Sequence, residues 1–186
     1  MSAGEAQPGP AQVQIRPLRE GDAPLLLDLY LRNAHFLRPW EPLHDDVWLT
    51  PRGQEGALVA ALRAQQQGVL RDFLILDGGV PAGRVTLSEI SRGAFQNAYL
   101  GYFVSEDRNG RGVAGAAARL AIRHAFTAER LHRVQAAIMP RNAASIRVAE
   151  KAGMRREGLA LRYLRIDGRW EDHLVYAVTA EEWSGA

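Results

Sequence analysis

The sequence predicts one α/β domain in which helices flank a mixed, largely antiparallel, twisted sheet. The first half of the chain alternates short apolar stretches with tight turns, most clearly at 77–79 (Asp-Gly-Gly), and this pattern is typical of β-hairpins. The second half alternates strand-like and helix-like segments, as β-α-β units do. A chain of 186 residues, 47% of them hydrophobic, can form one full core. We therefore assign residues 13–186 to a single domain and residues 1–12, rich in Gly, Ala, Pro and Gln, to a flexible tail.

The elements follow from the period of the apolar residues. Strands are predicted at 13–17, 73–76, 80–90, 97–104, 133–138, 154–163 and 170–178. Helices are predicted from residue 23 onward and at 50–67, 115–129 and 142–152. Asp22 is placed to cap the first helix, Thr50 precedes a proline at the start of the second, and Gly153 suits the left-handed residue after the last. Two prolines make the loop at 37–42 stiff.

The most informative stretch is the turn at 109–114 (Asn-Gly-Arg-Gly-Val-Ala), which lies between an apolar strand and a helix. Its glycines allow the backbone to approach a ligand, and the first turn of a helix leaves N–H groups without acceptors. The helix dipole adds roughly half a positive charge at that end. Arg108 and Arg111 add full charges. The turn therefore indicates a phosphate site, and the simpler alternative is a tight turn that only caps a helix.

Other phosphate-binding and metal-binding classes fit less well. The chain has no GxxxxGK[ST] motif, and its literal GxGxxG at 110–115 follows hairpin strands instead of opening a βαβ series. Cysteine is absent, which excludes disulfides, thiolate metal sites and a cysteine nucleophile. The five histidines lack the spacing of metal ligands, so we expect no metal.

Charge and hydropathy limit the partners. The net charge is only +2, and the arginines are spread along the chain, so we expect no direct binding to nucleic acid. There is no apolar run of 18 residues, so we expect no membrane partner. The first residues lack the pattern of a secretory signal, and we expect a cytoplasmic protein.

Four segments, at 37–42, 101–114, 131–154 and 155–173, together resemble the GNAT superfamily of acyl-CoA-dependent N-acetyltransferases. In their order and spacing they resemble more narrowly its ribosomal-protein N-terminal acetyltransferase branch, the Rim type, over residues 14–183. Asn109 stands where the superfamily most often has Gln or Arg. Leu164 stands where one relative has a glutamate base, so that role does not carry over and the base is unassigned.

The resemblance implies the roles of particular residues. The pyrophosphate of acetyl-CoA would lie on N–H groups of the glycine turn, the pantetheine arm along the preceding strand, and the sulfur close to Ser145, whose hydroxyl could stabilise or protonate the leaving thiolate. The implied cofactor-binding residues are Phe103, Val104, Arg108, Asn109, Gly110, Arg111, Gly112, Val113, Ala114, Asn142 and Ser145. The implied acceptor-binding residues are Trp40, Glu41 and Tyr102.

Simpler roles stay open for several of these residues. Asn142 could be only a helix N-cap, Ser145 a solvated helix residue, and Trp40 an anchor in the core.

The acceptor must be a neutral amine before it can attack the thioester. Neutralising an α-amine of pKa ~8 at pH 7 costs roughly 1.4 kcal/mol, whereas a lysine of pKa ~10.4 costs roughly 4.6 kcal/mol. Because no obvious base is present, an N-terminal α-amine is favoured over a lysine side chain. The resemblance implies that this α-amine belongs to a ribosomal protein. The alternatives are an acetyltransferase for a small amine and an acyl-CoA-binding module without turnover. Without cysteine we expect direct transfer in a ternary complex, by a monomer or a homodimer.

Overall fold

The structure, a computed structural model, describes residues 12–185 and contains one seven-stranded sheet. Its strands are β1 Val13–Pro17, β2 Arg71–Asp77, β3 Val80–Ser91, β4 Asn97–Val104, β5 Arg133–Ile138, β6 Arg155–Ile166 and β7 Arg169–Thr179. Their order across the sheet is β1-β2-β3-β4-β5-β7-β6, and all neighbours are antiparallel except β4 and β5. The α-helices are α1 Ala23–Leu37, α2 Pro51–Gln66, α3 Val113–Thr127 and α4 Ala143–Lys151.

The predicted fold class, a mixed and largely antiparallel sheet flanked by helices, is confirmed. Residues 1–11 of the predicted tail lie outside the described residues. The tail and the single domain at 13–186 stay predictions. None of the helices within residues 12–185 has the length and apolarity needed to cross a membrane.

Each face of the sheet carries a layer of helices. On one face α3 lies close to the strands because its buried side is made of alanine; Ala117, Ala118, Ala121 and Ala125 are all fully buried. Helix α4 packs beside it in the same core cluster. On the other face α1 and α2 pack through a second cluster that includes Leu26, Leu29, Leu58 and Leu74. This second layer also covers Phe103 at the end of β4.

The predicted helix start at Thr50 and the predicted end at Gly153 are confirmed, and Asp22 holds the N-cap position of α1 without the side-chain bond of a cap. The Thr50 hydroxyl accepts a hydrogen bond from the Gly53 N–H at 3.1 Å, and Gly153 follows α4 with a φ of +84°. Asp22 does not cap α1 with its side chain. Its carboxylate instead binds Arg16 at 2.6 Å and accepts from the N–H of Arg19 at 2.9 Å. The Asp22 carboxylate thus accepts hydrogen bonds from residues that precede the helix. The sequence alone could not show that Arg16 on β1 lies close enough to bind it.

Strands β4 and β5 separate soon after they meet. They pair only at Asn97–Tyr99 with residues 133–135. Beyond this point β4 continues to pair with β3 as far as Val104, and β5 continues to pair with β7 as far as Ile138. The facing edges of the two strands therefore diverge. An unpaired strand edge presents N–H and C=O groups that an extended ligand can use.

Candidate active site

The glycine turn has the backbone conformation that requires glycine. Gly110 and Gly112 have φ values of +74° and +79°, in the left-handed region that other residues avoid. A Cβ atom added to either residue would meet nothing within 4 Å. The space above the turn is therefore open, and the demand for glycine comes from the conformation alone.

The N–H groups of this turn are available to a ligand. The first hydrogen bond of α3 runs from the Ala116 N–H to the Gly112 carbonyl at 3.0 Å. Within the described chain, the N–H groups from Gly110 to Gly115 meet no acceptor. Asn109 differs, because its N–H donates to Glu106 at 3.1 Å. Helix α3 begins at Val113, two residues before its predicted start. The first-turn N–H groups of the helix, which have no acceptors in the described part of the chain, therefore follow directly after Gly112.

Asp77, at the end of β2, holds both arginines of the turn. Arg108 donates to its carboxylate at 3.0 Å, and Arg111 lies 3.5 Å from the same oxygen. Asp77 is 5% exposed, while Arg111 keeps 43% of its side chain exposed. The pair of cations is thus positioned next to the glycine turn, and part of their charge is neutralised. From sequence, Asp77 was assigned only to a hairpin turn, because its contact with Arg108 forms only when the chain folds.

Residues 142 and 145 meet at the start of α4 as predicted. The Asn142 side chain accepts from the Ser145 N–H at 3.0 Å, so the N-cap role is confirmed. The Tyr102 hydroxyl donates to the Ser145 carbonyl at 3.3 Å. Burial raises the pKa of Tyr102 to about 12, so this donor keeps its proton at neutral pH. The Ser145 hydroxyl itself has no hydrogen-bond partner in the part of the chain that the structure describes, and it remains free to donate.

Strand β4 divides the site between the two faces of the sheet. Tyr102 packs in the cluster of α3 and α4, next to Ser145. Phe103 points to the opposite face, where its ring lies 5.0 Å from the ring of Tyr30 on α1. Val104 is buried at the strand end. The structure therefore brings Tyr102 together with the predicted cofactor residues, and its role toward the acceptor stays a prediction.

Trp40 and Glu41 lie in a loop that is tied to two other parts of the chain. The first half of the loop is a short 3-10 helix, Arg38–Trp40. The Arg141 guanidinium lies 4.9 Å from the centre of the Trp40 ring and donates to the Pro39 carbonyl at 3.0 Å. The N–H of Asp167, in the β6–β7 turn, donates to the Glu41 carbonyl at 3.0 Å. Both Trp40 and Trp48 are half-buried, and it is Trp48 that packs against the α1–α2 cluster.

The Glu41 carboxyl group is buried without a strong cationic partner. Its side chain is 23% exposed, and the titratable group in contact with it is the imidazole of His44, whose Nε2 atom lies 3.5 Å away. Loss of solvent raises the pKa of Glu41 to about 7, an effect that the field of Arg84 partly offsets. Burial lowers the pKa of His44, so this imidazole is neutral at pH 7.

An ion pair lies beneath this loop. Arg84 donates to Asp72 through two bonds, at 2.9 and 2.5 Å, and to the Tyr30 hydroxyl at 3.2 Å. Asp72 is fully buried. Arg84 is the cross-strand partner of Phe103, so this network adjoins the end of β4. Sequence reasoning missed these residues, because no local pattern joins strands β2 and β3 to α1.

A diverging strand pair, an open glycine turn and a helix with a free hydroxyl are the features of an acyl-transfer site of the GNAT type. Residues 12–155 match the family described as the GNAT acetyltransferase domain. The chain therefore belongs to this family and is an N-acetyltransferase of the GNAT type, which confirms the resemblance of its four segments.

Named relatives cover almost the whole chain. It is 36% identical over 168 residues to the probable N-acetyltransferase YjcK of Bacillus subtilis, covering 89% of this chain and 93% of the relative. It is 34% identical over 172 residues to the [ribosomal protein uS5]-alanine N-acetyltransferase of Escherichia coli, covering 91% and 89%. The structure of Mycobacterium smegmatis RimJ in complex with CoA-disulfide superposes with a TM-score of 0.89 at 36% identity, covering 94% and 87%.

Proposed function

We propose that this protein transfers an acetyl group from acetyl-CoA to the N-terminal α-amine of a ribosomal protein, directly and within a ternary complex. The observation that carries the proposal is the free backbone of the glycine turn and of the β4 edge beyond Tyr99, together with the contact of Tyr102 on β4 with Ser145. Relatives that act on ribosomal protein uS5, and the CoA complex of a similar RimJ, support the acceptor and the cofactor.

The cofactor side of the site follows from the free N–H groups. The pyrophosphate of acetyl-CoA lies on the N–H groups of residues 110–114, with the exposed guanidinium of Arg111 beside it. The pantetheine arm enters the gap between β4 and β5 and pairs with the free edge of β4 near Phe103 and Val104. The Asn142 side chain borders the arm from the start of α4. The Val113 side chain is buried, so this residue contributes only its backbone N–H to the site.

The reaction is an acyl transfer from sulfur to nitrogen. The neutral amine attacks the thioester carbonyl carbon, and a β4 N–H group stabilises the charge that develops on the oxygen. The carbon–sulfur bond then breaks, the acetyl group stays on nitrogen, and the thiolate receives a proton that the Ser145 hydroxyl can supply. Tyr102 holds the Ser145 backbone in place through its hydroxyl.

The acceptor approaches the thioester from the other face of β4. There the loop of Trp40 and Glu41 lies near Tyr30 and Phe103. A carboxylate beside aromatic rings suits an amine that arrives as an ammonium ion. Such an acceptor is made in the cytoplasm, and we place the protein there. Whether it acts as a monomer or a homodimer stays a prediction.

The test is the release of free CoA thiol from acetyl-CoA in the presence of a panel of acceptors. The panel contains peptides with ribosomal-protein N-termini, the same peptides with blocked α-amines, and small amines such as polyamines. We expect release with the free peptides alone. Release with small amines alone would contradict the proposed acceptor. Tight CoA binding with no release from any acceptor would identify a binding module.

A further inference from the structure

One titratable pair on the acceptor side has no part in proton transfer as described so far. It consists of Glu41 and His44, whose side chains lie 3.5 Å apart. We propose that Glu41 is the base that takes the proton from the acceptor amine, and that His44 passes this proton to solvent. The proposal rests on the proposed function and names the base that the reaction lacks.

The surroundings of Glu41 keep its carboxylate free to accept a proton. Its side chain is three-quarters buried, yet within the described chain no arginine or lysine forms an ion pair with it. The cation that acts on it is Arg84, which is already held by two hydrogen bonds to the buried Asp72. A desolvated carboxylate without a paired cation binds a proton more tightly than an exposed one. Burial raises the pKa of Glu41 to about 7. A general base is most effective when its pKa lies near the working pH, so this value suits a base that acts at neutral pH.

His44 connects this carboxylate to water. Its ring stacks on Trp48 with centroids 4.1 Å apart and planes 5° apart, and 31% of its side chain remains exposed. Burial lowers the pKa of His44, so the ring is neutral and can accept the proton that Glu41 has taken. The stacking fixes the ring with one nitrogen toward Glu41. The pair therefore forms a short path from the buried carboxyl to the surface.

Glu41 also lies on the face that the reaction requires. It acts electrostatically on Tyr30, whose ring is 5.0 Å from Phe103, and on Arg84, the cross-strand partner of Phe103. Ser145 lies on the other face of β4, beside Tyr102. The proton acceptor and the proton donor are thus separated by the strand whose backbone holds the thioester. An amine can enter from one side while the thiolate is protonated on the other.

The steps balance. The acceptor arrives as an ammonium ion and gives one proton to the Glu41 carboxylate, and its lone pair then attacks the thioester carbon. As the carbon–sulfur bond breaks, the thiolate takes a proton from the Ser145 hydroxyl, which is restored from solvent. The nitrogen loses its remaining extra proton to solvent, and Glu41 passes its proton through the Nε2 atom of His44. The carboxylate is then ready for the next cycle.

Two buried groups near Glu41, Tyr30 and Arg84, keep one charge state at neutral pH. Burial raises the pKa of Tyr30 on α1, so it stays neutral. The Arg84 guanidinium on β3, paired with Asp72 on β2, has a raised pKa and stays charged. In the same loop Asp45 acts on His44, and on the β6–β7 turn the Asp167 carboxylate pairs with Arg38. Glu41 is therefore the group that sets the lower limb of a pH profile near pH 7.

The experiment compares Glu41→Gln with Glu55→Gln, a control on the exposed side of α2. With saturating peptide acceptor, Glu41→Gln should lower kcat by about 100-fold or more, in addition to any rise in KM from the lost contact with the ammonium group, and should abolish the limb of the kcat profile near pH 7. His44→Gln should lower kcat by about tenfold, with recovery when imidazole is added. An unchanged kcat with a raised KM would show that Glu41 only binds the ammonium group, and would overturn the proposal.

Two controls separate the possible failures. CoA affinity measured by calorimetry should be the same in Glu41→Gln and in the wild type, which shows that the variant is folded. If the wild type transfers acetyl to no acceptor, the proposed function fails and this inference fails with it. If turnover survives Glu41→Gln at the wild-type rate, this inference alone is overturned.

Discussion

Glu41 illustrates how burial gives a common residue an uncommon property. A carboxyl with a pKa of about 7 binds its proton more tightly in the folded protein than in the unfolded chain, where its value is near 4.5. Below pH 4.5 the group is protonated in both states and costs nothing. As the pH rises through 7, ionisation of the buried group increasingly opposes folding, by up to about 3 kcal/mol. The residue that we assign to catalysis thus destabilises the fold at working pH.

We predict that Glu41→Gln stabilises the protein above pH 7 and leaves its stability almost unchanged at pH 4. The difference should appear between these two limits, because the glutamine has no proton to lose. Urea unfolding of both proteins at pH 4, 6 and 8 measures it. A free-energy difference that stays constant with pH would contradict the raised pKa.

Ser145 has a free hydroxyl at the position where the thiolate must leave. We predict that Ser145→Ala lowers kcat by about 100-fold with little change in the affinity for CoA, because the backbone contacts of the turn are retained. Release of CoA thiol under saturating substrates measures kcat. Ser91→Ala, at the end of β3, is the control and should have wild-type activity. Wild-type turnover in Ser145→Ala would contradict the role.

Sequence could identify residues whose role depends on local spacing. The cap made by Asn142 on the N–H three residues later is such a case, and so are the two glycines before α3. Residues whose role depends on distant neighbours were missed: Asp77 and Arg84 gain their contacts only when the sheet forms. His44 was missed for another reason, because its contact with Glu41 three residues away depends on how the loop folds and not on a regular period. Asp22 was assigned wrongly for the same reason, since Arg16 on β1 competes for its carboxylate.

At the scale of elements, the turn and the helix α3 form one unit. The turn contains two left-handed glycines, and the N–H groups from 110 to 115 have no acceptor within the described chain. Sequence predicted the turn, but placed the start of α3 two residues late. Helix boundaries depend on the caps and on the first hydrogen bonds of the helix, and the spacing of apolar residues does not predict either of them.

We predict that Gly112→Ala and Gly68→Ala both destabilise the fold by roughly 1–2 kcal/mol, because both have positive φ with open space around Cβ. Only Gly112→Ala should weaken CoA binding, by about tenfold or more, since the turn can no longer present its N–H groups to a phosphate. Denaturation and calorimetry measure the two effects. Equal loss of CoA affinity in both variants would contradict a binding role for the turn.

At the scale of the whole molecule, the sheet separates a cofactor side from an acceptor side. The layer of α1 and α2 is joined to the sheet by the buried pair of Arg84 and Asp72 and by the bond from Arg84 to Tyr30. The order of strands and the parallel pair at the centre were not predictable from local patterns. The fold class was predictable from local patterns, because hairpin signals in the first half and β-α-β signals in the second are independent observations.

We predict that Asp72→Asn destabilises the protein by about 3–5 kcal/mol, because it leaves the charge of Arg84 buried without a partner. Asp28→Asn is the matched control. Asp28 pairs with Arg32 at 2.9 Å on the surface, with 63% and 48% of the two side chains exposed, and its loss should cost under ~0.5 kcal/mol. Urea unfolding measures both. A similar cost in the two variants would show that the buried pair does not join the layers.

The most direct measurement is to locate the acetyl group on a peptide product by fragment mass spectrometry. The peptide carries a ribosomal-protein N-terminus that begins with alanine and has one internal lysine, and it is incubated with the protein and acetyl-CoA. We predict acetyl on the α-amine alone, because that amine is the easier one to neutralise. Acetyl on the lysine side chain, or no acetylated peptide when a small amine is consumed under the same conditions, would contradict it.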